Sequence, residues 1–163
     1  MVFFKITHFF LIILVISLAF HSPINNTAFA ANGDIITEVA SSVHETGTSE
    51  YHSLIQLDSD TYVLAYTDAD GDGFIQTFTI SADGKTITEV SNSEHNTGDG
   101  THHSAVMVDS DTYLVAYAST AVMGKISTHT ISADGTITAS NIVKYEHETN
   151  KATYNSLVKV DSD

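Results

Sequence analysis

After residue 35 the chain consists of short apolar stretches separated by polar ones. Residues 54–57, 105–108 and 157–160 place a Gln, Met or Lys between apolar neighbours, an alternation that predicts a strand with one buried face. Residues 62–66 and 113–117 are apolar or aromatic throughout, as in a strand that is covered on both faces. No stretch has the 3.6-residue period of a helix, so we expect an all-β fold.

Turn sequences separate these strands. Asp-Ser-Asp-Thr follows the first strand, and its short side chains can bond the local backbone. Ser81-Ala-Asp-Gly84 and its copy Ser132-Ala-Asp-Gly135 supply a glycine with positive φ, which predicts a tight hairpin. The hairpin joins a third and a fourth predicted strand, at residues 74–80 and 86–90 and again at 124–131 and 136–142.

The chain repeats itself with a period of 51 residues. Residues 37–84 and 88–135 share 25 identities in 48 aligned pairs, which chance similarity does not give. A third copy begins at Thr138, keeps His147 and Tyr154 in step, and is incomplete at Asp163. We therefore predict repeats at about residues 37–87, 88–137 and 138–163. A period near 50 residues is typical of solenoids, propellers or arrays.

Four antiparallel strands per period form one blade of a β-propeller. With its Asp-Ser-Asp-Thr-Tyr core and its Thr-Ile-Ser-Ala-Asp-Gly hairpin, the repeat resembles the near-identical blades of secreted β-propeller-like repeat proteins of microbes. The resemblance covers residues 35–163 and implies at least four blades, whereas about two and a half repeats are present. We expect an incomplete propeller, either a fragment of a longer protein or one of several chains that close a ring. The structural alternative is an open array or sandwich of the same strands.

Residues 1–30 have the pattern of a signal peptide. Lys5 precedes a 12-residue apolar run from Phe9 to Phe20, which is too short for a membrane-spanning helix but fits a signal-peptide helix. Ala28-Phe29-Ala30 matches the small-x-small pattern of a cleavage site. We predict export to the cell surface or the medium, with no stable membrane span after cleavage.

Charge and composition exclude some classes of binding partner and some kinds of site. The 6 basic and 20 acidic residues give a net charge of -14, and removal of residues 1–30 would leave 5 and 20, or -15. Every basic residue is a lysine, and with no arginine and so large an acidic excess the chain lacks the basic surface that usually binds nucleic-acid phosphates. Cysteine is absent, which excludes disulfides, thiolate nucleophiles and sulfur-bound zinc.

One loop has the spacing of a calcium site. Asp68, Asp70 and Asp72 are followed by Gly73, as in the first half of a calcium-binding loop. Thr79 stands where the bidentate glutamate would be, and the second copy of the loop has lost every carboxylate. A weak calcium site is one interpretation, and a solvated acidic turn is the other.

Histidine recurs in step with the repeat. His44, His95 and His147 follow one another at 51 and 52 residues, and His52 and His103 recur beside the first two. Such positions could face a shared channel, where imidazoles bind a metal or ligand. The alternative is that they pack and hydrogen-bond at strand ends, holding one repeat to the next.

The remaining motifs carry little catalytic signal. Asp58-Ser59-Asp60, which recurs at residues 109–111 and 161–163, has the paired carboxylates of a glycosidase, but its place in a hairpin favours turn caps. The departures from the repeat at His102, His129 and Met123 form no recognisable catalytic constellation.

We therefore expect a noncatalytic exported repeat protein for surface binding, adhesion or scaffolding. Its ligand would be a glycan or a cell-surface protein, it would need no cofactor except for the weak calcium site, and unclosed sheet edges would allow self-association. The alternative is a fragment of an exported hydrolase or lyase whose active residues lie outside this chain.

Overall fold

The computed structural model describes residues 38–120 and 123–160, with no side chains described for residues 139–142. These residues form eight strands in two four-stranded antiparallel sheets, which confirms the predicted all-β class. The first sheet contains β1(Glu50–Gln56), β2(Thr61–Thr67), β3(Asp72–Ile80) and β4(Ile87–Asp99), in that order. The second contains β5(Thr101–Met107), β6(Thr112–Ala118), β7(Met123–Ile131) and β8(Ile137–Lys151).

The predicted signal peptide, residues 1–30, lies outside the described residues, as do Asp161, Ser162 and Asp163. Within residues 38–120 and 123–160, no helix is long and apolar enough to cross a membrane.

The strands predicted to be covered on both faces occupy the middle of each sheet. β2 pairs with β1 on one side and β3 on the other, and Val63, Leu64, Ala65 and Tyr66 are all buried. β6 holds the same position in the second sheet. In this chain a continuous apolar stretch therefore marks a central strand, because both faces of such a strand are buried.

The turns form as their sequences predict. One carboxylate oxygen of Asp58 accepts hydrogen bonds from the backbone N–H groups of Asp60 and Thr61, at 3.1 and 2.8 Å. Asp109 makes the same two bonds in the second copy. In the hairpins, Gly84 and Gly135 have φ of 71° and 84°, a region in which only glycine avoids strain.

Two predictions of strand extent were wrong. The fourth strands were expected to end near residues 90 and 142, whereas β4 continues to Asp99 and β8 to Lys151. The distal half of β4 is polar and lacks the apolar alternation on which the prediction depended, and Val143 and Tyr145 in the distal half of β8 are exposed. Backbone pairing with β3 and β7 holds both halves instead. Residues 157–160, expected as a strand, pair with no described strand, and Leu157 instead donates its N–H to Ser104 Oγ at 2.8 Å.

The hydrophobic core lies between the two sheets. Side chains of β2 and β3 meet those of β6, β7 and β8, and Ile55, Leu57, Ala105 and Met107 pack at its margin. Hydroxyl groups add cross-sheet bonds: Ser53 Oγ accepts the N–H of Ala105 at 3.0 Å. The buried centre of this core consists of Val63, Ala65, Ile75, Tyr113, Val115, Tyr117, Ile131 and Ile137.

Candidate functional site

Three aromatic residues at equivalent repeat positions share an unusual backbone conformation. Tyr51, His102 and Tyr154 have φ of 53°, 55° and 61°, a region that costs energy for residues with a side chain. Tyr51 and His102 lie where the pairing of β1 with β2, and of β5 with β6, shifts register. Such bulges redirect a side chain out of the regular alternation of a strand.

The redirected rings form one row. The ring centroids of Tyr51 and His102 are 4.2 Å apart, and those of His102 and Tyr154 are 5.0 Å apart. Together they line a groove of about 270 Å³, whose other walls are His52, His103 and Asn155. None of these six residues is acidic, although the chain as a whole carries a charge of -14. We call this feature the aromatic groove.

A histidine pair lies buried where the first sheet meets the second. The Nε2 atoms of His95, on β4, and His103, on β5, are 3.1 Å apart. Nδ1 of His103 donates to the backbone carbonyl of Tyr51 at 3.2 Å, so a neutral His103 presents a lone pair at Nε2. The proton between the two rings therefore belongs to His95 Nε2. Nδ1 of His95 is then a buried acceptor without a partner among the described residues.

The surroundings keep this buried pair neutral. The Tyr117 ring lies 4.6 Å from that of His95, and the His129 ring 5.8 Å away. Burial lowers the pKa of His103 and of His129 to about 4, and it lowers the pKa of His95 well below its usual value, with neighbouring His103 adding to the effect. We call His95, His103, His129 and Tyr117 the buried histidine cluster.

The equivalent pair of the first repeat is open to solvent. The Nε2 atoms of His44 and His52 are 3.2 Å apart, and both rings contact that of Tyr66. Burial, followed by the charge of His52, lowers the pKa of His44 below its usual range. Ser49 adds a hydroxyl 3.1 Å from His44 and 2.8 Å from His52.

The third copy has no such pair. His147 is exposed at the end of β8, and Asn155 stands where the first two copies have their second histidine. Gly124 passes beside His147 as Gly73 passes beside His95, so close that a Cβ at either glycine would meet the imidazole. His95 and His147 thus each lie against a glycine of the preceding repeat.

The Asp68 loop forms a capped turn. One carboxylate oxygen of Asp68 accepts the N–H groups of Asp70 and Asp72 at 3.0 and 2.8 Å, as Asp58 does in its own turn. In the part of the chain that the structure describes, no group of three or more His, Cys, Asp or Glu side chains is placed to hold a metal ion. Calcium binding by Asp68, Asp70 and Asp72 stays a prediction.

The Asp58 and Asp109 carboxylates accept hydrogen bonds from nearby backbone N–H groups. Hydrogen bonds from the N–H groups of Asp60 and Thr61 lower the pKa of Asp58, and those from Asp111 and Thr112 contribute to the same shift at Asp109. A general acid needs the opposite shift, toward neutral pH. For Asp58 and Asp109 the turn-cap interpretation is confirmed.

Sequence reasoning missed the aromatic row and the role of Ser49. The alignment of Tyr51, His102 and Tyr154 was the available sign of the row, but a positive φ at non-glycine residues has no signature in the sequence. Ser49 is opposite Gly100 in the second copy, so a departure from the repeat marked it. No family model, curated protein or solved structure matches this chain.

Proposed function

We propose that the chain is an exported, noncatalytic β-propeller-type repeat protein that binds a neutral glycan of a cell surface in its aromatic groove. The observation that carries the proposal is the recurrence of a strained aromatic residue in all three copies, with its ring in one open row. Backbone strain concentrates at functional positions, where the surrounding structure maintains it. Packing alone would not require this strained backbone, because Tyr51 and Tyr154 are 41% and 85% exposed.

The chemistry of the groove favours a sugar over a charged ligand. Aromatic rings offer flat apolar faces of the kind that accept the C–H faces of a sugar ring. Imidazole nitrogens and the amide of Asn155 supply hydrogen-bond donors and acceptors in the same space. The walls contain no carboxylate and no lysine, so the groove has no permanently charged side chain to pair with an ionic ligand.

The repeat arrangement supports a binding scaffold. Ser53 and Ser104 each accept a backbone N–H from the following copy, that of Ala105 and of Leu157. Successive copies therefore stack with a similar contact and present the same position of each repeat along one side. In repeat proteins such a shared side commonly forms the binding surface.

The test is retention of the full chain on a glycan array and on intact microbial cells. Tyr154→Ala should reduce retention at least about tenfold, because it removes one ring of a three-ring row. Tyr145→Ala is the matched control, since Tyr145 is 67% exposed on β8 but does not line the groove. Equal retention of the two variants, or no retention of the native protein on any surface, contradicts the proposal.

A further inference from the structure

Three polar atoms of the first repeat face one another in an exposed position. The Nε2 atoms of His44 and His52 are 3.2 Å apart, and the Oγ of Ser49 is 3.1 Å from the former and 2.8 Å from the latter. In any pair of neutral tautomers, two imidazoles and one hydroxyl can form hydrogen bonds along at most two edges of this triangle. In the tautomers that carry both protons on Nδ1, the two Nε2 atoms and the hydroxyl oxygen each keep a lone pair for a shared partner.

A cation is such a partner, and both imidazoles can bind it at once. A tetrahedral Zn²⁺ ion with Zn–N bonds of 2.0–2.1 Å places neighbouring ligand atoms about 3.3 Å apart, which matches the observed separation of the two Nε2 atoms. We propose that His44 and His52 bind a divalent transition-metal ion of the zinc, copper or nickel class, with the Ser49 hydroxyl at the third vertex and water on the open side.

The two rings are held in place before any metal binds. The ring of Tyr66 meets that of His44 edge to face at 4.9 Å and stacks with that of His52 at 6.3 Å. The lowered pKa of His44 keeps its imidazole in the neutral, metal-binding form. The Tyr51 carbonyl fixes the tautomer of His103 by accepting a hydrogen bond from its Nδ1. No carbonyl in the described residues accepts such a bond from His52, so either tautomer of His52 is accessible.

Only the first repeat has the complete arrangement. The buried pair His95 and His103 has Gly100 in place of Ser49, so it lacks the hydroxyl, and it is closed to solvent. The third copy has Ala152 in place of Ser49 and Asn155 in place of His52. Sites in repeat proteins stand out where one copy departs from the others, and this site depends on such a departure.

The test is calorimetric titration of the full, untagged chain with ZnCl₂ at about pH 7.5, above the imidazole range. We expect one zinc ion per chain. His52→Asn, which introduces the residue of the third copy, should weaken binding at least about tenfold because one of two nitrogen ligands is lost. Lowering the pH to about 5 should weaken native binding as well, since protons compete for the imidazoles.

The matched control is His147→Ala, which removes an exposed histidine that has no second imidazole beside it. It should leave zinc affinity unchanged. Copper EPR adds a readout of the ligands themselves: the native chain should show coupling to two ring nitrogens, and His52→Asn to one. Native zinc affinity in the His52→Asn variant, with native circular dichroism, would overturn the proposal. So would equal loss of affinity in the His147→Ala variant.

Discussion

His44 and His52 have nearly the same relative geometry as His95 and His103, with Nε2 separations of 3.2 and 3.1 Å. The second pair is buried where the two sheets meet, and the Tyr51 carbonyl fixes its tautomers. The first pair lies at the open side of its sheet, with a serine where the second has glycine. The same sequence element is thus buried between sheets in one repeat and accessible to solvent in the other.

The difference shows that burial, more than residue identity, determines the role of a repeated histidine. A buried imidazole is restricted to its neutral form and to one set of hydrogen bonds, so it contributes to stability and stops being available for chemistry. An exposed imidazole keeps its exchangeable proton and its lone pair. Recurrence in the sequence alone cannot distinguish the two.

The largest expected effect is on acid stability, and it comes from the buried histidine cluster. His103 and His129 have pKa values of about 4 in the folded protein, against about 6.5 for an unfolded chain. Their contribution is complete above about pH 6.5 and is lost as the pH falls toward 4, because the unfolded state then binds the protons. Each contributes about 3 kcal/mol.

Urea unfolding at a series of pH values measures this loss. His129→Phe, which places at residue 129 the type of ring that Phe78 provides in the first repeat, should flatten the pH dependence by roughly a third, because His95 and His103 remain. His147→Phe is the control and should leave it unchanged. A pH dependence that is the same in the His129→Phe variant and the native chain would show that the buried cluster is not its source.

The next effect separates the two pairs directly. His95→Ala should cost about 2–4 kcal/mol of unfolding free energy, because it leaves a cavity at a side chain that is only 2% exposed. His44→Ala, in the open pair, should cost less than about 1 kcal/mol. Chemical denaturation of both variants at neutral pH measures the difference. Similar losses of unfolding free energy in the two variants would mean that the two pairs do not differ in burial.

The smallest effect concerns a hydroxyl in the buried cluster. The Tyr117 OH is buried without a hydrogen-bond partner among the described residues, so Tyr117→Phe should leave stability unchanged or raise it by about 1 kcal/mol. Tyr145→Phe, at an exposed ring, is the control and should have no effect. Thermal melts of the two variants suffice, and a clear loss of stability in Tyr117→Phe would indicate a partner for that hydroxyl.

Sequence pattern predicted the features that depend on local chemistry. The central strands β2 and β6, the Asp58 turn and the glycine of the Ser-Ala-Asp-Gly hairpin all follow from short-range preferences, and they form as expected. The distal half of β4 was missed because its support comes from backbone pairing with β3, which leaves no apolar alternation to detect.

The site was harder to predict for a different reason. His44 and His52 are eight residues apart, as are His95 and His103. Each pair of rings comes together because of the turn between them and the tyrosine packed against both, Tyr66 or Tyr117. The bulge that redirects Tyr51 is a property of register between β1 and β2, which single residues do not encode. Burial of the second pair depends on a neighbouring sheet and so on contacts about 50 residues away in the sequence.

The long fourth strand ties the two sheets into one cooperative unit. β4 is paired by its backbone to β3, while its side chain His95 packs among residues of β5, β6 and β7. Opening the second sheet therefore removes the packing that anchors the end of β4 in the first. Amide protons of the central strands β2 and β6 should then exchange at a common, slow rate set by global unfolding. We therefore expect the pair of sheets, and not the single repeat, to unfold as one unit.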